Sequence, residues 1–194
     1  IYMESRGFTP ETLKEFGISF SPKYEGQILI PVHDPWGNEV AKVARRFNRE
    51  PKYLYPKGIS IRSFLFNFHR VKKEVAERGQ VMIVEGPLDS MSCHQMGVPS
   101  VAAFGSSLTA SQAIQLYAYG LKLAVLWFDW DEAGYSGVFG WEWRHDEIDY
   151  QTAKAHGLLT APRGSGANRT RRLLESLGIS TTNAHPTIPP TKYK

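Results

Sequence analysis

The sequence predicts an α/β protein: a parallel sheet with flanking helices, preceded by a small mixed α+β lobe of basic character. Two observations predict the sheet and a third predicts the lobe. From Gln80 onward, short apolar runs alternate with segments of helical pattern, and each apolar run ends abruptly at Gly, Ser or an acidic residue. Before Gln80, two β-patterned runs flank a dense cluster of turn formers. Charge is divided in the same way: residues 1–79 stand at +5, residues 80–160 at −6 and residues 161–194 at +5. These boundaries give an amino-terminal basic lobe (1–79), a parallel-sheet domain (80–160) and a basic carboxy-terminal segment (161–194).

Thr9-Pro10-Glu11 opens a short helix, with Thr9 as cap, Pro10 at the first helical position and Gly17 as stop. Residues 27–33 and 40–47 flank Asp34-Pro35-Trp36-Gly37-Asn38 and read as a hairpin whose second strand projects basic side chains. A Tyr- and Phe-rich connection leads to an amphipathic helix of about ten residues ended by Gly79. Val81-Met82-Ile83-Val84 is an unbroken apolar run, as in a strand covered on both faces. A helix near residues 90–96, a strand at 100–103, a helix opened by the Thr109/Gln112 capping box and a strand at 121–128 follow. Strand, helix, strand, helix, strand at this spacing implies right-handed parallel crossovers. A helix is expected at 169–177 with Gly178 as its stop, and 149–156 has weaker helical pattern. The Thr- and Pro-rich residues 179–194 are expected to be disordered.

A chain of 194 residues with 42% hydrophobic content is long enough for one sizeable core. No apolar run approaches the ~18 residues that span a bilayer, and residues 1–4 resemble no secretory leader, so a cytoplasmic protein without membrane partners is expected. The single cysteine, Cys93, makes no internal disulfide and is expected to be buried. No Cys/His cluster has zinc-ligand spacing, so no zinc site is expected. The six histidines are scattered and receive no role, and Trp141 and Trp143 are expected to pack.

In open α/β sheets the binding crevice lies at the carboxyl ends of the strands, where Glu85 and Asp129 fall. In Asp129-Trp130-Asp131, residues two apart in extended chain point to one side, so both carboxylates can face Glu85. Three gathered carboxylates repel one another unless a hard cation is present; Mg²⁺, or Mn²⁺ in its place, takes oxygen ligands and keeps water positions for phosphates. Asp89 has two readings, an outer-sphere ligand or the cap of the following helix. A basic lobe beside an acidic one suits a protein that holds a polyanion while concentrating divalent cations.

Glu85-Gly86-Pro87-Leu88-Asp89 followed by Phe128-Asp129-Trp130-Asp131-Glu132-Ala133-Gly134 resembles the toprim signature, shared by bacterial and phage primases, type IA and II topoisomerases and some nucleases. Phe104-Gly105-Ser106-Ser107 is similar to the glycine-serine loop between those motifs in replicative primases. Arg6-Gly7-Phe8, the hairpin with Arg45-Arg46, and Pro51-Lys52-Tyr53-Leu54 resemble the amino-terminal lobe of the same core, so the likeness covers roughly residues 1–134 and favours the primase branch. It implies a nucleotidyltransferase that makes short RNA on single-stranded DNA in replication, with Glu85, Asp129 and Asp131 as catalytic metal ligands. It implies a basic surface of Arg45, Arg46, Lys52 and Arg62, with Tyr53 and Tyr55 as candidates for base stacking or for packing between lobes. Gly105, Ser106 and Ser107 would offer amides and hydroxyls to phosphate. Partners implied are a single-stranded DNA template, nucleoside triphosphates and a replicative helicase, in a host's cytoplasm if the chain is of phage origin. The chain departs from the family at Gly164-Ser165-Gly166-Ala167-Asn168, where a Gly-Lys-Asp-x-Asn type segment usually supplies a carboxylate; Asp146 or Asp149 would have to substitute. The family's amino-terminal zinc-binding domain and helicase region are not seen, and the start at Ile1 suggests a fragment. The alternative reading is a toprim protein that binds or cuts nucleic acid without polymerising, and a third is a decayed domain that binds DNA and catalyses nothing.

Overall fold

The computed structural model describes residues 2–21, 26–47, 49–127 and 166–183. Two short helices, α1 (Tyr2–Ser5) and α2 (Pro10–Glu15), open the chain. Thr9 caps α2 as its sequence position predicts: its side-chain oxygen accepts from Thr12 N at 3.2 Å. An antiparallel sheet follows in the order β1 (Ser19–Phe20), β2 (Gln27–His33), β3 (Glu39–Arg46) and β4 (Tyr53–Leu54). The β2–β3 hairpin closes on Asp34, whose carboxylate accepts from Trp36 N and Asn38 N at 2.9 Å each. That local bonding is why an Asp-Pro-x-Gly-Asn run turns the chain. β4, inside the aromatic connection, has no clear signal in the sequence.

The second sheet is parallel, in the order β6 (Ser100–Ala102), β5 (Gln80–Val84), β7 (Leu123–Leu126) and β8 (Ser180–Asn183). Helices α3 (Phe68–Arg78), α4 (Pro87–Gln95), α5 (Ala110–Ala118) and α6 (Gly166–Ser176) flank it. The expected disorder from Ile179 onward is corrected for residues 180–183. They pair in register with β7, Leu123 opposite Ser180 through Leu126 opposite Asn183. Ile179 is buried just before them. A Ser-Thr-Thr-Asn run is too polar to read as core, but β-branched threonines suit a strand once a neighbour supplies the ladder. Residues 149–156, expected from the sequence to have a weaker helical pattern, and Trp141 and Trp143 lie outside the described residues.

Alternation along β5 explains how the two parts hold together. Val81 and Ile83 face a core with Phe68, Val71 and Val75 of α3, Leu116 of α5 and Leu174 of α6. Met82 and Val84 face the other way, into a core with Leu88 and Met91 of α4 and with Ile28, Ile30, Val32 and Val43 of the hairpin. One apolar cluster therefore spans the antiparallel sheet and the parallel one, and each fully buried aliphatic side chain in it contributes about 1.5–3 kcal/mol. Gln95 of α4 adds a polar tie, accepting from Thr9 N at 2.9 Å and donating to Gly7 O at 2.8 Å. Cys93 is buried within the same cluster.

Candidate functional site

A cleft of about 630 Å³ lies where the carboxyl end of β5 meets the antiparallel sheet. One wall is Glu85, Gly86, Pro87, Leu88 and Asp89; the other is Arg45, Arg46, Arg49, Glu50, Lys52, Tyr53 and Tyr55, with Tyr2 and Arg6 from α1 and its turn. Phe104 and Gly105 close one end. Of the residues singled out from the sequence, Glu85, Asp89, Arg45, Arg46, Lys52, Tyr53, Tyr55 and Gly105 thus line one cleft. Arg62, Ser106 and Ser107 do not line it. Asp129 and Asp131 lie outside the described residues. Trp127 N donates to Ile83 O at 2.9 Å, so the chain leaves β7 beside the end of β5.

Glu85 follows the last residue of β5, and its Oε1 is shielded from solvent. Gly86 and Pro87 then start α4. Of the two readings of Asp89, the cap bond is present: Oδ2 accepts from Gly86 N at 3.1 Å. This bond needs a glycine, because a Cβ at position 86 would stand 2.8 Å from Asp89 Oδ2. Among the described residues, no group of three or more His, Cys, Asp or Glu sits together as a metal ion would require.

The opposite wall is organised by strand register. Arg45 and Tyr53 are partners across β3 and β4, which puts the guanidinium over the phenol ring at 4.9 Å from its centroid. Arg45 is 9% exposed. Burial works against its charge but is outweighed by Tyr53 and Tyr2, whose hydroxyls hold it charged above the usual arginine value. Burial pushes Tyr53 up to about 12, against the pull of Arg45 and with a further push from Asp89, so the phenol stays protonated at neutral pH. Tyr2 goes the other way: burial opposes the shift, and Arg45 and Arg6 lower it. One face of Tyr53 is taken by Arg45 while Tyr55 stacks at 6.5 Å, which makes Tyr53 a packing residue more than a base platform.

Arg46 secures its own loop, donating through Nε to Pro51 O at 3.0 Å and through Nη2 to Glu50 O. Lys52 is exposed on the cleft wall, its backbone N held by Glu50 Oε2 at 3.0 Å. Arg62 is spent on the glycine-serine loop: Nη2 donates to Ser107 O at 2.6 Å and to Ser107 Oγ at 3.2 Å. The Gly105 amide is likewise used, donating to Glu85 O at 3.2 Å. That loop is thereby attached directly to the Glu85 segment. The sequence reading missed Tyr2 and Arg49 and assigned Arg6 no role. A scatter of basic and aromatic residues within 50 positions was the only signal, and it becomes a wall only when α1 packs beside the end of β3, the tilted rings of Tyr2 and Phe47 lying 3.8 Å apart.

Residues 82–139 match the family model described as toprim-like. The DNA primase of Thermotoga maritima is 30% identical over a stretch covering 77% of this chain and 33% of the relative. That of Enterococcus faecalis is 34% identical over 60% of this chain and 20% of the relative. The chain thus spans about a third or less of the length of these curated relatives. Among solved structures, the Aquifex aeolicus primase (zinc-binding and RNA polymerase domains) superimposes with a TM-score of 0.67 at 20% identity, covering 98% of this chain and 49% of that one. The E. coli primase catalytic core gives 0.58 at 18% identity, covering 91% and 70%. Matched segment, sequence relatives and shared architecture agree: residues 82–139 are toprim-like, and the chain is similar to the core of bacterial DNA primases.

Proposed function

We propose that this chain is a primase catalytic core, a nucleotidyltransferase that joins ribonucleotides into short RNA primers on single-stranded DNA during replication. The observation that carries the reading is the cleft itself, with Arg45, Arg46 and Lys52 on one wall and Glu85 and Asp89 on the other. In this reading residues 1–79 are the basic lobe and 80–160 the toprim domain. The Mycobacterium tuberculosis primase RNA polymerase domain, which shares the fold at a TM-score of 0.51, has been solved in complex with double-stranded DNA.

Glu85, Asp129 and Asp131 are assigned as ligands of Mg²⁺ or Mn²⁺, with Asp89 outside the first shell. Two features support the fit. All donors are carboxylate oxygens, the chemistry a hard divalent ion selects, and the Gly86 amide and Asp89 fix the turn that presents Glu85. The ion, when bound, orients the triphosphate and neutralises charge on the leaving oxygens. The chain's own residues do the rest. Arg45, fixed by Tyr53 and Tyr2, supplies a cation that needs no reorganisation to meet a phosphate, and exposed Lys52 adds a mobile one. No side-chain nucleophile is required, since the 3′-hydroxyl of the growing strand attacks. Nucleoside triphosphates and a single-stranded template are the substrates, a replicative helicase the partner, and the cytoplasm the compartment.

The test is incubation with a single-stranded template, labelled ribonucleotides and Mg²⁺. Labelled oligonucleotide that disappears in Asp129→Ala supports the assignment. Shortened template without incorporation favours instead a toprim nuclease, a reading that the carboxylate-free Gly164–Asn168 segment keeps open.

A further inference from the structure

Three histidines without ligand spacing in the sequence gather around Arg70 and Glu15, and none of the five residues lines the cleft. The rings of His33 (β2) and His69 (α3) lie 4.4 Å apart. Arg70 joins this pair to α2: Nη1 meets His69 Nε2 at 2.8 Å, Nη2 donates to Glu15 O at 2.6 Å, and Nε lies 3.6 Å from Glu15 Oε1. The same guanidinium sits over the Phe16 ring at 4.5 Å from its centroid. His94 of α4 competes for Glu15, with Nε2 3.0 Å from the same Oε1, and packs edge-on against Phe16.

A guanidinium has donors only, so His69 Nε2 must accept this bond. His69 is therefore neutral, with its proton on Nδ1, which is buried and has no partner among the described residues. Protonating Nε2 removes the acceptor and sets two cations 2.8 Å apart.

We propose that His69, with His33 beside it, is a proton-operated latch: neutral, it holds Arg70 on α2; protonated, it expels Arg70 and leaves Glu15 to His94.

The charged groups facing the pair are Arg70 and Lys72 from α3, Asp34 from β2's turn, Glu39 from β3 and, through Arg70, Glu15 from α2. Burial first, then Arg70, His33 and Lys72, lower His69 to about 4, with Asp34 opposing; burial and Arg70 lower His33, with Glu39 and Asp34 opposing. The unfolded chain therefore binds the proton first. The latch is closed above the ordinary histidine value of 6.5 and loses its stabilisation as pH falls from there towards about 4. What opens is the tie between α3 and α2, and α2 continues through Thr9 and Gly7 to Arg6 and Tyr2 on the cleft wall.

The measurement is amide hydrogen exchange of Leu13, Phe16 and Gly17, corrected for intrinsic rates, with histidine ring titration by NMR on the same full chain. Wild type is expected to lose protection in α2 by about tenfold or more between pH about 7 and about 5, while the His69 ring of the folded chain titrates well below 6.5. His69→Gln keeps an acceptor for Arg70 without a titrating ring and is expected to lose less than about threefold. Equal losses in wild type and His69→Gln overturn the proposal. So does a loss that vanishes in His94→Gln alone, which would put the sensor on α4. If His69→Gln does not fold, the wild-type titration decides: His69 titrating near 6.5, or α2 protection unchanged below pH about 6.5, overturns the latch, and a low ring value with α2 protection falling from about 6.5 downward supports it.

Discussion

The two walls of the cleft are built by different means. The basic wall is held together by several partners at once: Arg45 by its cross-strand neighbour Tyr53 and by Tyr2 from the chain's start, Arg46 by the carbonyls of Glu50 and Pro51 in its own loop. The acidic wall hangs on one local junction, where β5 ends at Val84, Glu85 follows and Asp89 reaches back to Gly86. A wall of like charges needs neighbours that keep each cation in place without neutralising it, and phenols and carbonyls do that. Under the proposed function, a carboxylate wall needs only a strand end that stops the chain at the right depth, because a bound cation would supply the cohesion.

If that contrast is right, the two walls fail differently. The largest effect is expected at the acidic junction. Glu85→Gln keeps the shape, removes the charge, and should cut ribonucleotide incorporation by about a hundredfold or more while the thermal midpoint stays within about 3 °C. A loss below about fivefold would mean Glu85 is not at the reacting centre. Next, Arg45→Met keeps much of the packing against Tyr53 but removes the cation. It should weaken single-strand binding by about tenfold and lower the salt slope by about one unit, read by fluorescence anisotropy at several salt concentrations. Unchanged binding would make Arg45 a structural cation only.

Gly86→Ala is expected to push Asp89 off the Gly86 amide and cost about 1 kcal/mol in urea unfolding, the usual worth of a helix cap. The same substitution in an Asp89→Ala background should cost clearly less, and strict additivity in that double-mutant cycle would refute the coupling. The smallest effect belongs to Lys52→Ala. Lys52 is exposed, so binding should fall by about twofold to threefold across all template sequences, with stability within about 0.5 kcal/mol of wild type.

Much of the architecture was legible because local physics dictates it. Thr9-Pro10 and Thr109/Gln112 mark helix starts through caps that the fold contains, and Val81–Val84 reads as a doubly covered strand because both of its faces are buried. Glu85 was legible from its position after that strand. β4 and β8 were not legible: two residues in an aromatic linker and a Ser-Thr-Thr-Asn run carry no periodicity, and only the ladder beside them makes them strands. Tyr2 and Arg49 escaped for a related reason, since nothing near them in the chain marks them as neighbours of Glu85.

The amino-acid sequence by itself determined the alternation of strands and helices, the division of charge and the place of Glu85 at a strand end, because periodicity, capping and strand ends act over a few residues. The tertiary structure alone decided that Tyr53 holds Arg45, that Arg62 braces the glycine-serine loop, and that His33, His69 and His94 converge on Arg70 and Glu15. Apart from the neighbours His69 and Arg70, those pairings join residues from different segments of the chain, and what a cation or an imidazole does depends on which partner the packing brings close.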